Sequence, residues 1–151
     1  MSITEDILPA NAVTVRYATA ADEVALLGLV GELGHAVPLD PAAFANSLVV
    51  ALADFPRTLI HVAEVEGQVA GYALTTVSAL LYSNGPSAQL QEIAVDEKVQ
   101  ARGVGTALVQ AVEADCEKQG VTQLTVASRR AGGFYDRLGY TQQAEYMRRL
   151  F

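Results

Sequence analysis

The chain has 151 residues, 51% hydrophobic and 18% charged, with a formal net charge of −7. That length and apolar content suffice for one domain with a buried core, and they exclude a disordered, collagen-like or disulfide-stapled chain. The acidic balance argues against nucleic acid as a partner, because phosphate binding asks for a basic face. Acidity also suits a cationic amine, though most acidic surfaces only keep a protein soluble. No apolar run reaches the length of a bilayer span, so no membrane partner is expected. Met1 to Pro9 carries acids and no basic cluster, unlike a signal peptide. The lone Cys116 has no internal disulfide partner, which fits a cytoplasmic setting.

Val13 to Arg16 reads as a first strand. Thr19 stands as a helix N-cap with Asp22 three residues on, close to a capping box. The spacing predicts a helix from Ala20 to Leu33 that buries Val24, Leu27 and Val30, with a break from Gly34 to Leu39. Asp40 caps a second helix with Pro41 at its first position, and Phe44, Leu48 and Leu52 share one face. Thr58 to Val65 and Gln68 to Ser78 are strand-like and flank a Glu66-Gly67 hairpin signal. Tyr82 to Ser87 is a loop and Ala88 to Val95 a third long strand. Ala101 to Gln119 reads as a helix that buries Val104, Leu108, Val112 and Cys116 and stops at Gly120. A strand at Gln123 to Ala127, a short helix at Gly133 to Leu138, and closing strands at Tyr140-Thr141 and Ala144 to Leu150 complete the order.

The hairpin implies antiparallel pairing early in the chain. The strand–helix–strand unit from Leu90 to Val126 implies parallel pairing later. A mixed α/β sheet with helices on both faces follows.

The most informative segment is Leu90-Gln91-Glu92-Ile93-Ala94-Val95 followed by Gln100-Ala101-Arg102-Gly103-Val104-Gly105-Thr106. A strand feeds a turn, and a helix opens on glycines. The first amides of a helix lack internal partners, the positive end of its dipole lies there, and glycine lets backbone approach a ligand. Together they form an anion site. A phosphate-binding P-loop would need a Gly-Lys pair, which is absent here. A dinucleotide fingerprint would need a third glycine where Leu108 stands.

What the segment does resemble is Gln/Arg-x-x-Gly-x-Gly/Ala, the pyrophosphate-binding motif of GNAT N-acetyltransferases. Downstream, Ser128-Arg129-Arg130-Ala131-Gly132-Gly133-Phe134-Tyr135-Asp136-Arg137-Leu138-Gly139-Tyr140 is similar to the family's Asn-x-x-Ala-x-x-Phe/Leu-Tyr-x-x-x-Gly-Phe/Tyr segment. Ser128 departs from the usual Asn, and Gly132-Gly133 weakens the start of the helix that follows. Gln91 to Val95, Gly31-Glu32-Leu33 and Gly139-Tyr140 also look loosely like aminoalkylphosphonate N-acetyltransferases.

The resemblance implies a single N-acetyltransferase domain over residues 1–151, with a mostly antiparallel central sheet of six to seven strands. It implies acetyl-CoA as co-substrate, no metal, and a small-molecule amine that attacks directly in a ternary complex. Amides of Arg102, Gly103, Val104, Gly105 and Thr106 would hold the pyrophosphate, with Gln100 and Ala101 of the same motif also on the cofactor. The edge at Ile93, Ala94 and Val95 would pair with the pantetheine arm, and an amide near Ala94 would serve as oxyanion donor. Ser128 and Phe134 would complete the cofactor cleft. Tyr135 is the candidate general acid, and its bland alternative is a packed helix-start tyrosine. Glu92 is the candidate base, against a solvated strand carboxylate. Its alternation with Ile93 turns it to the opposite face.

His35 and Tyr82 are candidates for the acceptor side, and Arg129, Arg130 and Arg137 for the cofactor's 3′-phosphate. His61 reads as a strand-face residue and Cys116 as a small buried apolar group. The two histidines, far apart, make no zinc site. A homodimer through the C-terminal strands is implied by the resemblance. A protein or peptide acetyltransferase, and a CoA-binding sensor without turnover, stay open.

Overall fold

A computed structural model describes residues 12–34, 38–99, 103–128 and 133–151. Five strands, β1 (Val13–Tyr17), β2 (Thr58–Val65), β3 (Gln68–Ala79), β4 (Pro86–Val95) and β5 (Gln123–Val126), form one sheet in chain order. The first four pair antiparallel and β4 pairs parallel with β5. The parallel step needs a crossover, which is helix α3 (Val104–Lys118). The β2–β3 hairpin turns at Glu66-Gly67, both with positive φ (53° and 76°), which is the geometry that matches strand twist in a two-residue turn.

Helices cover both faces. On one side α3 packs Val104, Leu108, Val112 and Cys116 onto Ala63, Ala73, Ala88 and Leu90. On the other, α1 (Glu23–Gly31) and α2 (Pro41–Ala53) bring Leu26, Leu29 and Leu48 against Ile60, Val62, Tyr72 and Ala94. Asp40 caps α2 by accepting from the Ala42 amide at 3.0 Å. Thr19 and Asp22 form the full capping box before α1, across a 3-10 turn at Ala20–Asp22.

Two expectations are corrected. Val24 is 83% exposed, and the buried residues of α1 are Leu26 and Leu29. The run Glu23–Gly31 is apolar nearly all round, so spacing alone does not single out a face. Among the described residues the sheet has five strands, against the six to seven expected, because residues 140–151 form no strand. Ala144 to Leu150 carries strand-like residues, but Tyr146, Met147 and Leu150 there are exposed and have no sheet face to cover. No described helix is long and apolar enough to cross a membrane.

Candidate active site

The site begins with one extra residue in β4. Leu74 of β3 pairs with Glu92, but Thr75 pairs with Leu90, so Gln91 is a bulge. Strand side chains alternate with a period of two, and a bulge shifts that phase by one. Ala88 and Leu90 therefore lie in the α3-side core, while Ala94 lies in the opposite core with Tyr72. Glu92, two residues before Ala94, shares the face of Ala94. There the Tyr72 hydroxyl, on a side chain only 2% exposed, donates to Glu92 Oε1 at 2.7 Å. Burial first, and then the charge of Glu92, push the Tyr72 phenol well above its usual range, so it stays a protonated donor.

A groove opens beside this pair. Pairing of β4 with β5 stops at Leu90 and Val126, yet β4 runs on to Val95. Beyond Leu90 the two strands part, leaving a space of about 400 Å3 lined by Glu92, Ile93 and Val95 on one bank and Val126, Ser128 and Tyr135 on the other. The Asp96 amide donates to the Ala70 carbonyl of the β3 side at 2.7 Å. In an antiparallel ladder alternate residues point the same way, so the Ala94 amide also turns toward β3. The amides left on the open edge belong to Ile93 and Val95, and a donor near Ala94 is one of these two.

The first turn of α3 lies next to Val95 of the groove's lining. Gly103 is its N-cap, at φ +79°, with no side-chain cap. The Ala107 amide makes the first intrahelical bond, back to the Gly103 carbonyl at 3.0 Å, so the amides of Val104, Gly105 and Thr106 have no acceptor within the helix. Val104 itself is 2% exposed and contributes its side chain to the core, which leaves only its backbone for a ligand. A Cβ on Gly105 would stand 3.4 Å from Phe134 and 3.9 Å from Val95, so this glycine seats the first turn against both. Beneath it, a Cβ on Gly71 would meet Val104 Cγ1 at 2.9 Å and the Ala94 carbonyl at 3.1 Å. Gly71 thus lets the start of α3 lie close on the sheet.

Tyr135 comes from the short helix α4 (Phe134–Arg137). Its ring lies edge-on to Phe134 at 5.0 Å and to Tyr140 at 5.7 Å. The neighbouring Tyr140 phenol is pushed up to about 12, by burial and then by Glu113. Cys116 is buried, and burial raises its thiol to about 11, in keeping with a packing role.

Glu92, Ile93, Ala94, Val95, Ser128 and Tyr135 all line the groove; Gly103, Val104, Gly105 and Thr106 belong to the start of α3, where Gly105 abuts Phe134 and the groove-lining Val95. Tyr82 sits elsewhere. Its hydroxyl accepts from Gln123 Nε2 at 2.7 Å, at the far end of the β4–β5 pair where Ser87 faces Gln123. His35, Gln100, Ala101 and Arg102, like Arg129 and Arg130, lie outside the described residues. His61 is a buried strand residue bonded to Asp115. Among the described residues no three His, Cys, Asp or Glu side chains gather to hold a metal. Sequence reasoning missed Tyr72, Glu32 and Leu33 as groove or site residues. It also missed Gly71, for which a glycine inside a strand was an available signal.

The family model described as an acetyltransferase (GNAT) domain matches residues 56–142, more than half of the chain. The chain belongs to the GNAT acetyltransferase family. It is an acyltransferase, and GNAT enzymes use acetyl-CoA. An uncharacterized N-acetyltransferase of Chlorobaculum tepidum is 28% identical over 92% of this chain and 83% of its own length. Solved structures share the fold at low identity. Glucosamine-6-phosphate N-acetyltransferase from Arabidopsis thaliana has a TM-score of 0.80 at 17% identity, covering 93% of this chain and 99% of that one. A transcriptional regulator from Bacillus halodurans C-125 reaches 0.82 at 18%, covering 93% and 100%. The ribosomal-protein-alanine N-acetyltransferase from Brucella melitensis reaches 0.73 at 16%, again covering 93% and 100%. Acceptors as unlike as a sugar phosphate and a ribosomal protein occur in the names of proteins with this fold.

Proposed function

We propose that this GNAT enzyme is one domain over residues 1–151 that transfers acetyl from acetyl-CoA to a small cationic amine, by direct attack in a ternary complex. The observation that carries this reading is the groove, whose lining brings an open strand edge together with a carboxylate and a phenol. Acetyl-CoA supplies the activated thioester. The fit for it is good: uncapped amides at Val104, Gly105 and Thr106 suit a diphosphate, and the Ile93 and Val95 edge suits the amides of its arm.

The chain's own groups then divide the work. Glu92 takes one proton from the acceptor ammonium, directly or through a water, and frees the lone pair that forms the C–N bond. An edge amide at Ile93 or Val95 donates to the carbonyl oxygen while it carries charge. Tyr135 gives its phenolic proton to the sulfur as the C–S bond breaks, and the phenolate recovers a proton from the acetylated nitrogen. The product is a neutral amide and a neutral thiol.

The charge around the acceptor supports a cationic substrate. Glu32, Glu92 and Glu97 line the groove, and no lysine or arginine lines it among the described residues. A phosphonate, a phosphosugar or an amino-acid carboxylate would face those carboxylates unpaired. Thiol release from acetyl-CoA, measured over linear diamines, polyamines, an aminophosphonate, glucosamine 6-phosphate, amino acids and peptides, tests the proposal. Turnover is expected with diamines and polyamines. Saturable CoA binding without turnover on any amine would make the domain a sensor, and turnover only on peptides would make it a protein-modifying enzyme.

We also infer a homodimer that covers residues 144–151, where Tyr146, Met147, Leu150 and Phe151 are all exposed. Light scattering after size exclusion is expected to give twice the 16.0 kDa chain mass.

A further inference from the structure

We propose that Tyr72 is the positioning residue of the reaction: its hydroxyl fixes Glu92 in one rotamer and leaves the second carboxylate oxygen to the acceptor amine. The inference rests on Glu92 acting as the base.

The geometry is specific. Tyr72 stands opposite Ala94 in the β3–β4 ladder, two pairs along from Leu74 and Glu92 and on the same face. Its side chain crosses diagonally, which is within reach for a long aromatic. The contact, 2.7 Å to Oε1, occupies one carboxylate oxygen. The residue lines the groove, so Oε2 is the atom left for an incoming ammonium. Tyr72 is packed among Ile60, Val62, Leu26 and Leu29, so its hydroxyl has little freedom to move.

The other titratable groups that the described residues bring to the groove are Glu32 at the end of α1, Glu97 after β4 and Tyr135 from α4. Tyr72 supplies the side-chain donor to Glu92 from β3. Without the bulge at Gln91, Glu92 would point into the α3-side core and the pair would not form.

The test splits kcat from KM for the best diamine with Tyr72→Phe, which keeps the buried ring and removes only the donor. A fall of roughly tenfold in kcat is expected, with KM for acetyl-CoA unchanged. Replacing Tyr72 by 3-fluorotyrosine, which keeps the donor and nearly the same shape, should restore the parent kcat; this rescue separates loss of the bond from a packing defect. A Tyr72→Phe variant with the kcat of the parent, or a 3-fluorotyrosine variant as slow as Tyr72→Phe, would overturn the positioning role. Glu92→Gln separates this failure from the larger one. If it lowers kcat while Tyr72→Phe does not, only the role of Tyr72 falls; if Glu92→Gln turns over like the parent, the base assignment falls and takes the positioning role with it.

Discussion

His61 and Asp115 meet at 2.6 Å, imidazole Nε2 against carboxylate Oδ2, and the histidine is only 3% exposed. The Tyr17 hydroxyl donates to the same Oδ2 at 2.8 Å, so β1, β2 and the last turns of α3 are joined at one carboxylate. The other ring nitrogen, Nδ1, has no partner among the described residues. The imidazole proton therefore sits on Nε2, where Asp115 accepts it. Asp115→Ala strands that buried N–H and the Tyr17 hydroxyl together. We expect a loss of about 2–3 kcal/mol in urea unfolding, with acetyl-CoA binding by the folded protein unaffected. A midpoint equal to the parent's would mean that the joint does not hold α3 down.

Arg16 and Asp22 make a second polar joint, with a different pH signature. The guanidinium bonds both carboxylate oxygens at 2.8 Å, and the Thr19 amide donates to Oδ2 at the same distance. The Arg16 bond, and then the Thr19 backbone bond, hold Asp22 below its ordinary value against the opposing effect of burial. A depressed carboxyl stabilises the fold above the unfolded value, about 3.9, and that stability is lost as pH falls through the lower folded value. Asp22→Asn should thus cost about 2 kcal/mol at pH 7 and much less at pH 2.5. Urea midpoints at the two pH values measure the difference, and a constant gap would refute the ion-pair account.

Gly71→Ala tests how closely α3 must sit on the sheet. The added methyl would meet Val104 Cγ1 at 2.9 Å and Leu108 Cδ1 at 3.2 Å. Overpacking of this kind costs about 1–3 kcal/mol and would lift the helix mouth. CoA affinity by calorimetry is expected to fall several-fold with it. Gly28→Ala in α1, where nothing lies within 4 Å of the new methyl, is the control. It should gain about 0.5–1 kcal/mol and leave CoA affinity alone.

Tyr135→Phe addresses the acid. The ring stacking with Phe134 and Tyr140 survives the change, so folding should be preserved. A loss of about 100-fold in kcat with KM for acetyl-CoA held constant is expected. Turnover equal to the parent's would remove Tyr135 from the chemistry.

Much of the scaffold was readable because local signals agreed with tertiary need. Asp40-Pro41 marked the start of α2, Glu66-Gly67 marked the hairpin, and Val104, Leu108, Val112 and Cys116 marked the buried stripe of α3. Glycines after a strand drew attention to the mouth of α3, and Glu92 and Tyr135 were named from their places in motifs. Three things were beyond the reach of pattern. Which side of α1 is buried depends on the sheet beneath it, since Val24 is as apolar as its neighbours. Strand-like composition over residues 144–150 states a preference and not a pairing. The Tyr72–Glu92 bond spans 20 positions and needs the β3–β4 register, bulge included, before either residue can be matched to the other.

The irregularity at Gln91 makes this part of the chain sensitive to length more than to composition. Deleting a single amino acid there would rotate everything downstream by half a turn, sinking an acid into the layer beneath and lifting Ile93 into the layer above. A related chain one residue shorter here would carry its glutamate in the same column, across a gap, and yet present it to the opposite side of the molecule. Counting residues between Leu90 and Ala94 is then a sharper guide to shared chemistry than matching their identities.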